Sequence, residues 1–176
     1  MKFFISSLIF ILLISTSYAS DVDSSDDDDL LTEDSALIEE SDFQKLGLEM
    51  KQKSLGLVLM LHAEHCPYCA LMENEILSPM VKSGEYDSRV VLRKLQIDEA
   101  RDVKDFSGAI VEPSDISGRY DAALTPTLVF LDFQGNQKIE NMIGINTVEL
   151  FSAYLDIEID KLVKSLKKSD TEVVAK

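Results

Sequence analysis

The sequence predicts an α/β domain in which a mixed central sheet is flanked by helices, and three observations predict it. First, an apolar run from Gly56 to Ala63 leads through two cysteines into a helical pattern, which indicates a buried strand and a following helix. Second, a run from Thr127 to Phe133 precedes the turn residues Gln134-Gly135-Asn136, which is typical of a β-hairpin. Third, an amphipathic pattern from Asn146 indicates a long helix near the end of the chain.

The size and charge of the chain limit the classes of protein to which it can belong. Its 176 residues leave room for one domain and short appendages. The net charge of −15 disfavours binding to nucleic acid, since nucleic-acid-binding domains carry basic surfaces. We expect a monomeric protein with no nucleic-acid partner.

Residues 1–19 have the composition of a secretory signal peptide. Lys2 supplies the positive n-region, and a short apolar core runs from Phe3 to Ile14. The small residues Ser17 and Ala19 precede Ser20 as they would at a cleavage site. The core is shorter than the roughly 20 residues of a membrane span, although an uncleaved anchor stays an alternative. No cysteine lies at the cleavage point, so lipoprotein attachment there is excluded, and we expect export.

An acidic segment follows the signal peptide, from Ser20 to Asp42. It carries eleven acidic residues and no basic ones, including the run Asp26–Asp29. Repulsion between like charges and the scarcity of apolar residues predict a disordered linker that serves as a solvated spacer. Calcium binding is an alternative, but the glycine and ligand spacing of an EF-hand loop are absent. We therefore place the domain at residues 43–168 and expect the segment to be dispensable for folding.

The first elements of the domain follow from capping and periodicity. Ser41 and Asp42 can cap a helix that runs to about Ser54 and places Phe43, Leu46 and Met50 on one face. The strand at 56–63 is almost continuously apolar, which suits a sheet covered on both sides. The helix after the cysteines runs to about Leu77, and Pro79 should kink or end it.

The second half of the domain predicts two more strands and two helices. Residues 89–97 alternate as a strand, and residues 98–113 are too irregular to assign. Residues 114–121 can form a short helix before the hairpin strands at 127–133 and 137–143. The last helix begins at Asn146, with Glu149 as in a capping box, and residues 169–176 should be frayed.

The two cysteines lie in the sequence His65-Cys66-Pro67-Tyr68-Cys69, between the buried strand and the helix. Free N–H groups and the positive end of the helix dipole stabilise a thiolate there. Cysteines in this arrangement have thiol pKa values of about 3.5–7.5. A disulfide across so short a loop gains little from loop-closure entropy, which favours a redox role over a structural one. Cys66 can then attack a disulfide, and Cys69 can resolve the mixed disulfide.

Neighbouring side chains leave two interpretations of the site open. A protonated His65 beside Cys66 would favour the thiolate, and Tyr68 is either a substrate contact or a space-filling residue. His62 and His65 with the two cysteines also present four potential ligands for zinc or copper. Convergence of all four is doubtful, because His62 ends a strand and His65 adjoins Cys66. His62 can instead be a packed residue at the end of the strand. A non-catalytic metal-binding or chaperone module is therefore an alternative.

The order of these elements resembles the thioredoxin fold over residues 43–168. Ala63-Glu64-x-Cys66-x-x-Cys69 is similar to the thioredoxin active-site approach, Thr125-Pro126-Thr127 to the cis-proline loop, and the hairpin before Ile143-Gly144 to that of thioredoxins. The resemblance implies a thiol-disulfide oxidoreductase with no bound cofactor or metal. It also implies that Pro126 is cis and faces Cys66, which frees the Thr125 backbone for substrate.

The chain departs from thioredoxins at two places. The dipeptide between its cysteines is Pro-Tyr, as in glutaredoxins, and Met60 occupies the position of the buried aspartate six residues before the first cysteine. Another group must then deprotonate Cys69. Glu64 is the nearest candidate base and Glu73 a second one, although both can equally be surface carboxylates.

Within the thioredoxin-like proteins, the chain resembles exported bacterial members encoded with sulfur-oxidation (Sox) genes. The resemblance lies in the short Cys-Pro-x-Cys domain, an insertion before the Thr-Pro-Thr helix and the stretch Phe151-Ser-Ala-Tyr-Leu155. It implies a periplasmic reductase of protein disulfides that a membrane thiol-electron carrier re-reduces. A disulfide-forming oxidase that uses the same two cysteines stays an alternative.

Overall fold

The computed structural model describes residues 36–174, with side chains described through residue 168. The strands are β1 Ile38–Glu39, β2 Gly56–His62, β3 Val90–Gln96, β4 Val103–Lys104, β5 Ile110–Val111, β6 Thr127–Leu131 and β7 Gln137–Ile143. The α-helices are α1 Phe43–Lys53, α2 Pro67–Met72, α3 Ser78–Ser83, α4 Pro113–Arg119 and α5 Val148–Val174, and a π-helical turn at Glu73–Leu77 joins α2 to α3. None of the helices in this part of the chain is both long and apolar enough to cross a membrane.

Five strands form one mixed sheet in the order β1-β3-β2-β6-β7. The strands β1, β3 and β2 run parallel to one another, whereas β6 and β7 add an antiparallel hairpin. The predicted mixed α/β architecture is therefore confirmed. The central position of β2 directs its last residue, and the cysteines that follow, to the edge where the parallel strands end.

The sheet is covered on both faces, as the unbroken apolar character of β2 predicted. Val58 and Met60 pack on one side against a cluster that includes α2 and α5. The alternate residues Leu57, Leu59 and Leu61 pack on the other side against α1 and α4. Because side chains of a strand alternate between faces, a strand buried on both faces must be apolar at every position.

The domain begins earlier than the predicted boundary at Phe43. Leu37 is only 2% exposed in the core, and β1 pairs in parallel with β3, with Ile38 opposite Arg93. The predicted disorder is therefore wrong for residues 36–42. Because these residues are part of the sheet and core, we no longer expect them to be dispensable for folding. Acidic residues of this segment form ion pairs with basic residues that are distant in the sequence, as in the pairs Glu40–Arg93 and Asp42–Lys104. The predicted signal peptide and residues 20–35 lie outside the described residues.

The predicted start of α1 is confirmed, because the Asp42 carboxylate accepts a hydrogen bond from the Lys45 N–H at 2.9 Å. Two helix ends differ from the prediction. The chain remains helical past Pro79, since a π-helical turn precedes α3 and such a turn accommodates the missing N–H and the bulk of a proline. Helix α5 continues to Val174 rather than fraying from Ser169, because neither glycine nor proline interrupts it.

The segment too irregular to assign, residues 98–113, contains the β4–β5 pair and is anchored by Asp105. The buried Asp105 carboxylate accepts hydrogen bonds from the Ser107 hydroxyl, the N–H groups of Ser107 and Ala109, and the Arg119 guanidinium at 2.7 Å. Burial raises the pKa of Asp105, but hydrogen bonds from Ser107, Arg119 and Ala109 outweigh it and lower this pKa to about 2. The carboxylate thus ties the insertion to α4.

Replacement of Asp105 with asparagine should destabilise the domain at pH 7 and progressively less in acid. The native pKa of Asp105 lies below that of an unfolded aspartate, so its charged form contributes stability above about pH 4. That contribution disappears as the pH falls through about 2. Urea unfolding between pH 7 and pH 2 should therefore show the gap between Asp105→Asn and wild type closing as the pH falls. An equal gap at every pH would contradict the prediction, and Asp102→Asn, in the same segment, is the control.

Candidate active site

Cys66 lies at the junction between β2 and α2, where the sequence predicted a reactive thiol. Its side chain caps α2, since the Cys66 sulfur accepts the Cys69 N–H at 3.2 Å, and Pro67 occupies the first turn, where its missing N–H costs nothing. His65 has a φ of +55°, which turns the chain sharply from the strand into the helix. This local geometry presents the Cys66 sulfur at the positive end of α2.

A disulfide bond joins Cys66 to Cys69, with their Cα atoms 5.2 Å apart. The two sulfurs differ in access, because Cys66 is half-buried at the surface whereas Cys69 is buried under the first turn of α2. The accessible sulfur is therefore the one that an external thiol or disulfide can reach first. This difference in access is compatible with the predicted roles, in which Cys66 attacks and Cys69 resolves.

The loop before β6 lies against the cysteines. The peptide bond between Thr125 and Pro126 is cis, as predicted, and the Thr125 hydroxyl contacts the Cys66 sulfur at 3.6 Å. Two hydrogen bonds hold the loop, from the Gly144 N–H to the Pro126 carbonyl and from the Thr127 hydroxyl to the Leu124 carbonyl. Thr125 and Cys66, which are almost sixty positions apart in the sequence, are thus in contact.

His62 belongs to a network that the sequence did not predict. Its Nε2 atom lies 2.8 Å from the Glu39 carboxylate, which also accepts hydrogen bonds from the Gln96 N–H and from Arg101. Burial raises the pKa of Glu39, but the bonds from His62 and Gln96 outweigh it and lower that pKa. No signal in the sequence links Glu39 to His62, because Glu39 lies in a segment whose local composition predicts disorder.

The metal-binding alternative gains no support from the arrangement of side chains. His62 is directed to Glu39, and in residues 36–174 no three His, Cys, Asp or Glu side chains are grouped as a metal site would require. His65 is almost fully exposed and lies 3.7 Å from the exposed Glu64 carboxylate. Although the four predicted ligands border one cavity, their side chains are not grouped to hold a metal ion.

The two candidate bases differ in their surroundings. The Glu64 side chain is 68% exposed, and its backbone N–H is bound by the Asp98 carboxylate at 3.1 Å. This bond is the main cause of the lowered pKa of Asp98. Glu73 instead lies under the helix, where its carboxylate pairs with Lys94 at 2.6 Å. The two carboxylates therefore differ in exposure and in partner, with Glu64 at the surface and Glu73 partly buried in an ion pair.

An open cavity of about 530 Å³ adjoins the disulfide. Its lining includes both cysteines, both histidines and Glu73. The cavity connects the buried side of the dithiol to solvent, and it places one partly buried carboxylate beside the resolving cysteine.

Three similar solved structures, all thioredoxins or thioredoxin-like proteins, have low sequence identity to this chain. Mitochondrial thioredoxin 3 of Saccharomyces cerevisiae in its oxidised form is 21% identical, over 69% of this chain and 95% of that chain, with a TM-score of 0.47. A thioredoxin-like protein from Clostridium perfringens is 21% identical, over 77% of this chain and 90% of that chain, with a TM-score of 0.45. The germline-specific thioredoxin Deadhead of Drosophila melanogaster is 18% identical, over 68% and 98%, with a TM-score of 0.48.

No curated protein matches the chain significantly. The family described as a thioredoxin-like domain matches residues 45–157, which is more than half of the chain. This match spans the cysteines, the cis-proline loop and most of the sheet, whose strand order and mixed directions were described above. The chain therefore belongs to the thioredoxin-like domain family, as an oxidoreductase whose active-site disulfide joins Cys66 and Cys69.

Proposed function

We propose that this protein is an exported reductase of protein disulfides that works through Cys66 and Cys69 without a bound cofactor. The observation that carries the proposal is the asymmetry of the dithiol. Cys66 is accessible and caps α2, whereas Cys69 is buried one turn away and already bonded to it. A helix N-terminus stabilises the thiolate that starts the exchange, and proximity allows the second cysteine to finish it.

The reaction transfers two electrons from the dithiol to a substrate disulfide. The Cys66 thiolate attacks one sulfur of the substrate, which forms a mixed disulfide and releases the other substrate sulfur as a thiolate. Cys69 then loses its proton and attacks the Cys66 sulfur. The second substrate thiolate leaves, and the Cys66–Cys69 disulfide forms.

The surface around Cys66 favours an extended protein substrate. Tyr68 and Leu124 are 63% and 65% exposed beside the active-site helix and the cis-proline loop. We assign Tyr68 to substrate contact, and Thr125 with Pro126 to alignment of a substrate strand through backbone hydrogen bonds. We assign His65 to electrostatic support of the Cys66 thiolate, because its exposed ring directly precedes Cys66 and a protonated imidazole there would favour the charged sulfur.

Export rests on the sequence of residues 1–19, which lie outside the described residues. Cleavage before Ser20 would deliver the domain to the bacterial periplasm as a monomer, where a membrane thiol-electron carrier would re-reduce it. The resemblance to sulfur-oxidation thioredoxins supports this direction of electron flow. Mass spectrometry of the protein from a periplasmic fraction should find Ser20 as its first residue.

The reduction potential of the Cys66–Cys69 pair tests the reductase assignment. In glutathione redox buffers we expect about −200 to −230 mV, the range of glutaredoxins, which share the Pro-Tyr dipeptide. A value near −120 mV would identify the oxidase alternative instead. The variant with serine at both cysteine positions is the control, since it should show no redox transition in the same buffers.

A further inference from the structure

A partly buried ion pair joins β3 to the helical segment that follows the cysteines. The carboxylate of Glu73 contacts the ammonium of Lys94 at 2.6 Å, and their side chains are only 12% and 17% exposed. Lys94 lies in β3 opposite Met60, which is fully buried in β2. Charges removed from water are costly unless they are paired, so this pair holds the Glu73 carboxylate in place below the surface.

Glu73 follows the last residue of α2, one helical turn after Cys69. Its N–H donates to the Cys69 carbonyl, so the two residues are helical neighbours four positions apart. Side chains at that spacing lie on the same face, with Cβ atoms about 5–6 Å apart. Both residues line the cavity of about 530 Å³, which has room for water molecules between them.

Resolution of the mixed disulfide requires a proton acceptor near the buried Cys69 thiol. A buried thiol resists ionisation, because its thiolate would lose hydration, yet only the thiolate attacks a disulfide. Met60 supplies no ionisable group, and the Glu64 side chain is turned outward beside His65. Of the carboxylates that the sequence offered as a base, Glu73 is therefore the one that the fold brings to the cavity.

We propose that Glu73, positioned by Lys94, accepts the proton of Cys69 through cavity water during resolution of the mixed disulfide. The step rests on the proposed thiol-disulfide exchange. The Cys69 proton moves to the Glu73 carboxylate as the Cys69 sulfur bonds to Cys66 and the substrate thiolate leaves. The protonated Glu73 then passes its proton to that thiolate or to solvent, which restores the ion pair.

The test separates the two halves of the exchange with dithiobis(nitrobenzoate), an aromatic disulfide that releases a coloured thiolate. Reduced full-length protein should release one thiolate when Cys66 attacks and a second when Cys69 resolves the mixed disulfide. With Glu73→Gln we expect an unchanged first phase and a second phase slowed about tenfold or more at pH 7. The difference should shrink as the pH rises, because hydroxide then removes the thiol proton without help from a carboxylate.

Matched variants assign the effect to the Glu73 carboxylate. Glu75→Gln, which changes an exposed carboxylate in the same π-helical turn, should leave both phases unchanged. The other titratable groups around the cavity are His62, His65 and Lys94, and His62 in turn contacts Glu39. Neither His62→Gln nor His65→Gln should therefore reproduce the dependence of the second phase on pH that Glu73→Gln shows.

Removal of one charge from the Glu73–Lys94 ion pair can unfold the protein, so two further variants keep the proposal testable. Glu73→Gln with Lys94→Gln removes both charges and should slow the second phase as Glu73→Gln does, whereas Glu73→Asp should restore part of the rate. A second phase that is unchanged, or slowed equally at every pH, would overturn the role of Glu73 alone. Absence of the first phase in the wild type would instead overturn the proposed function, and this inference with it.

Discussion

Replacement of Cys66 with serine should abolish disulfide exchange, whereas replacement of Cys69 with serine should trap substrates as mixed disulfides. The reason is that Cys66 is the accessible sulfur at the start of α2, while buried Cys69 reaches only a sulfur already joined to Cys66. In an insulin-reduction assay we expect Cys66→Ser to fall to the uncatalysed rate. Cys69→Ser should also lose turnover, but it should accumulate a covalent adduct that non-reducing electrophoresis detects.

Alkylation of the reduced wild type tests the order of the two cysteines independently of any substrate. At mildly acidic pH the label should appear on Cys66 first, because the helix N-terminus favours its thiolate. Mass spectrometry of the labelled peptides identifies the modified residue. Preferential labelling of Cys69 would reverse the assignment, and a variant with serine at both positions measures the background.

Removal of β1 should destabilise the domain strongly. A chain that starts at Phe43 lacks Leu37 from the core and Asp42 from the N-cap of α1. Loss of a buried leucine costs about 2–5 kcal/mol and loss of a cap about 1 kcal/mol, so we expect at least about 3 kcal/mol less unfolding free energy. The melting temperature should fall by roughly 10 °C, as differential scanning calorimetry would show.

Two comparisons separate the contribution of β1 from that of the acidic residues before it. A chain that starts at Ala36 should melt within a few degrees of one that starts at Ser20, because the charge density of residues 20–35 predicts no packed structure. Leu37→Ala should cost several times more than Ile38→Ala, whose parent side chain is 56% exposed. Equal stability of the chains that start at Ala36 and Phe43 would refute the role of β1.

Features with a local physical cause were predictable from the sequence. The strand–cysteine–helix junction, the Asp42 cap and the β6–β7 hairpin each depend on residues within a few positions of one another. Even the access of the two cysteines follows from their positions at the start of one helix. The cis state of the bond before Pro126 came instead from the family resemblance, since no local rule selects it.

The predictions from the sequence are wrong or incomplete where residues distant in the sequence meet. The composition of residues 36–42 predicts a disordered linker because their cationic partners, Arg93, Arg101 and Lys104, lie more than fifty positions away. The insertion at 98–113 showed no periodicity because a single buried carboxylate, Asp105, anchors it instead of an apolar stripe.

The sequence by itself determined the fold class and the reactive dithiol, because hydrophobic periodicity and the start of a helix are encoded locally. Only the tertiary structure decided which acidic groups lie near the site. Glu39 reaches His62 through the pairing of β1 with β3, and Glu73 reaches Lys94 because the π-helical turn packs on the sheet. A carboxylate that the sequence predicts to be solvated forms an ion pair once a strand or helix places a cation beside it. No local sequence pattern encodes the distance between the two charged groups.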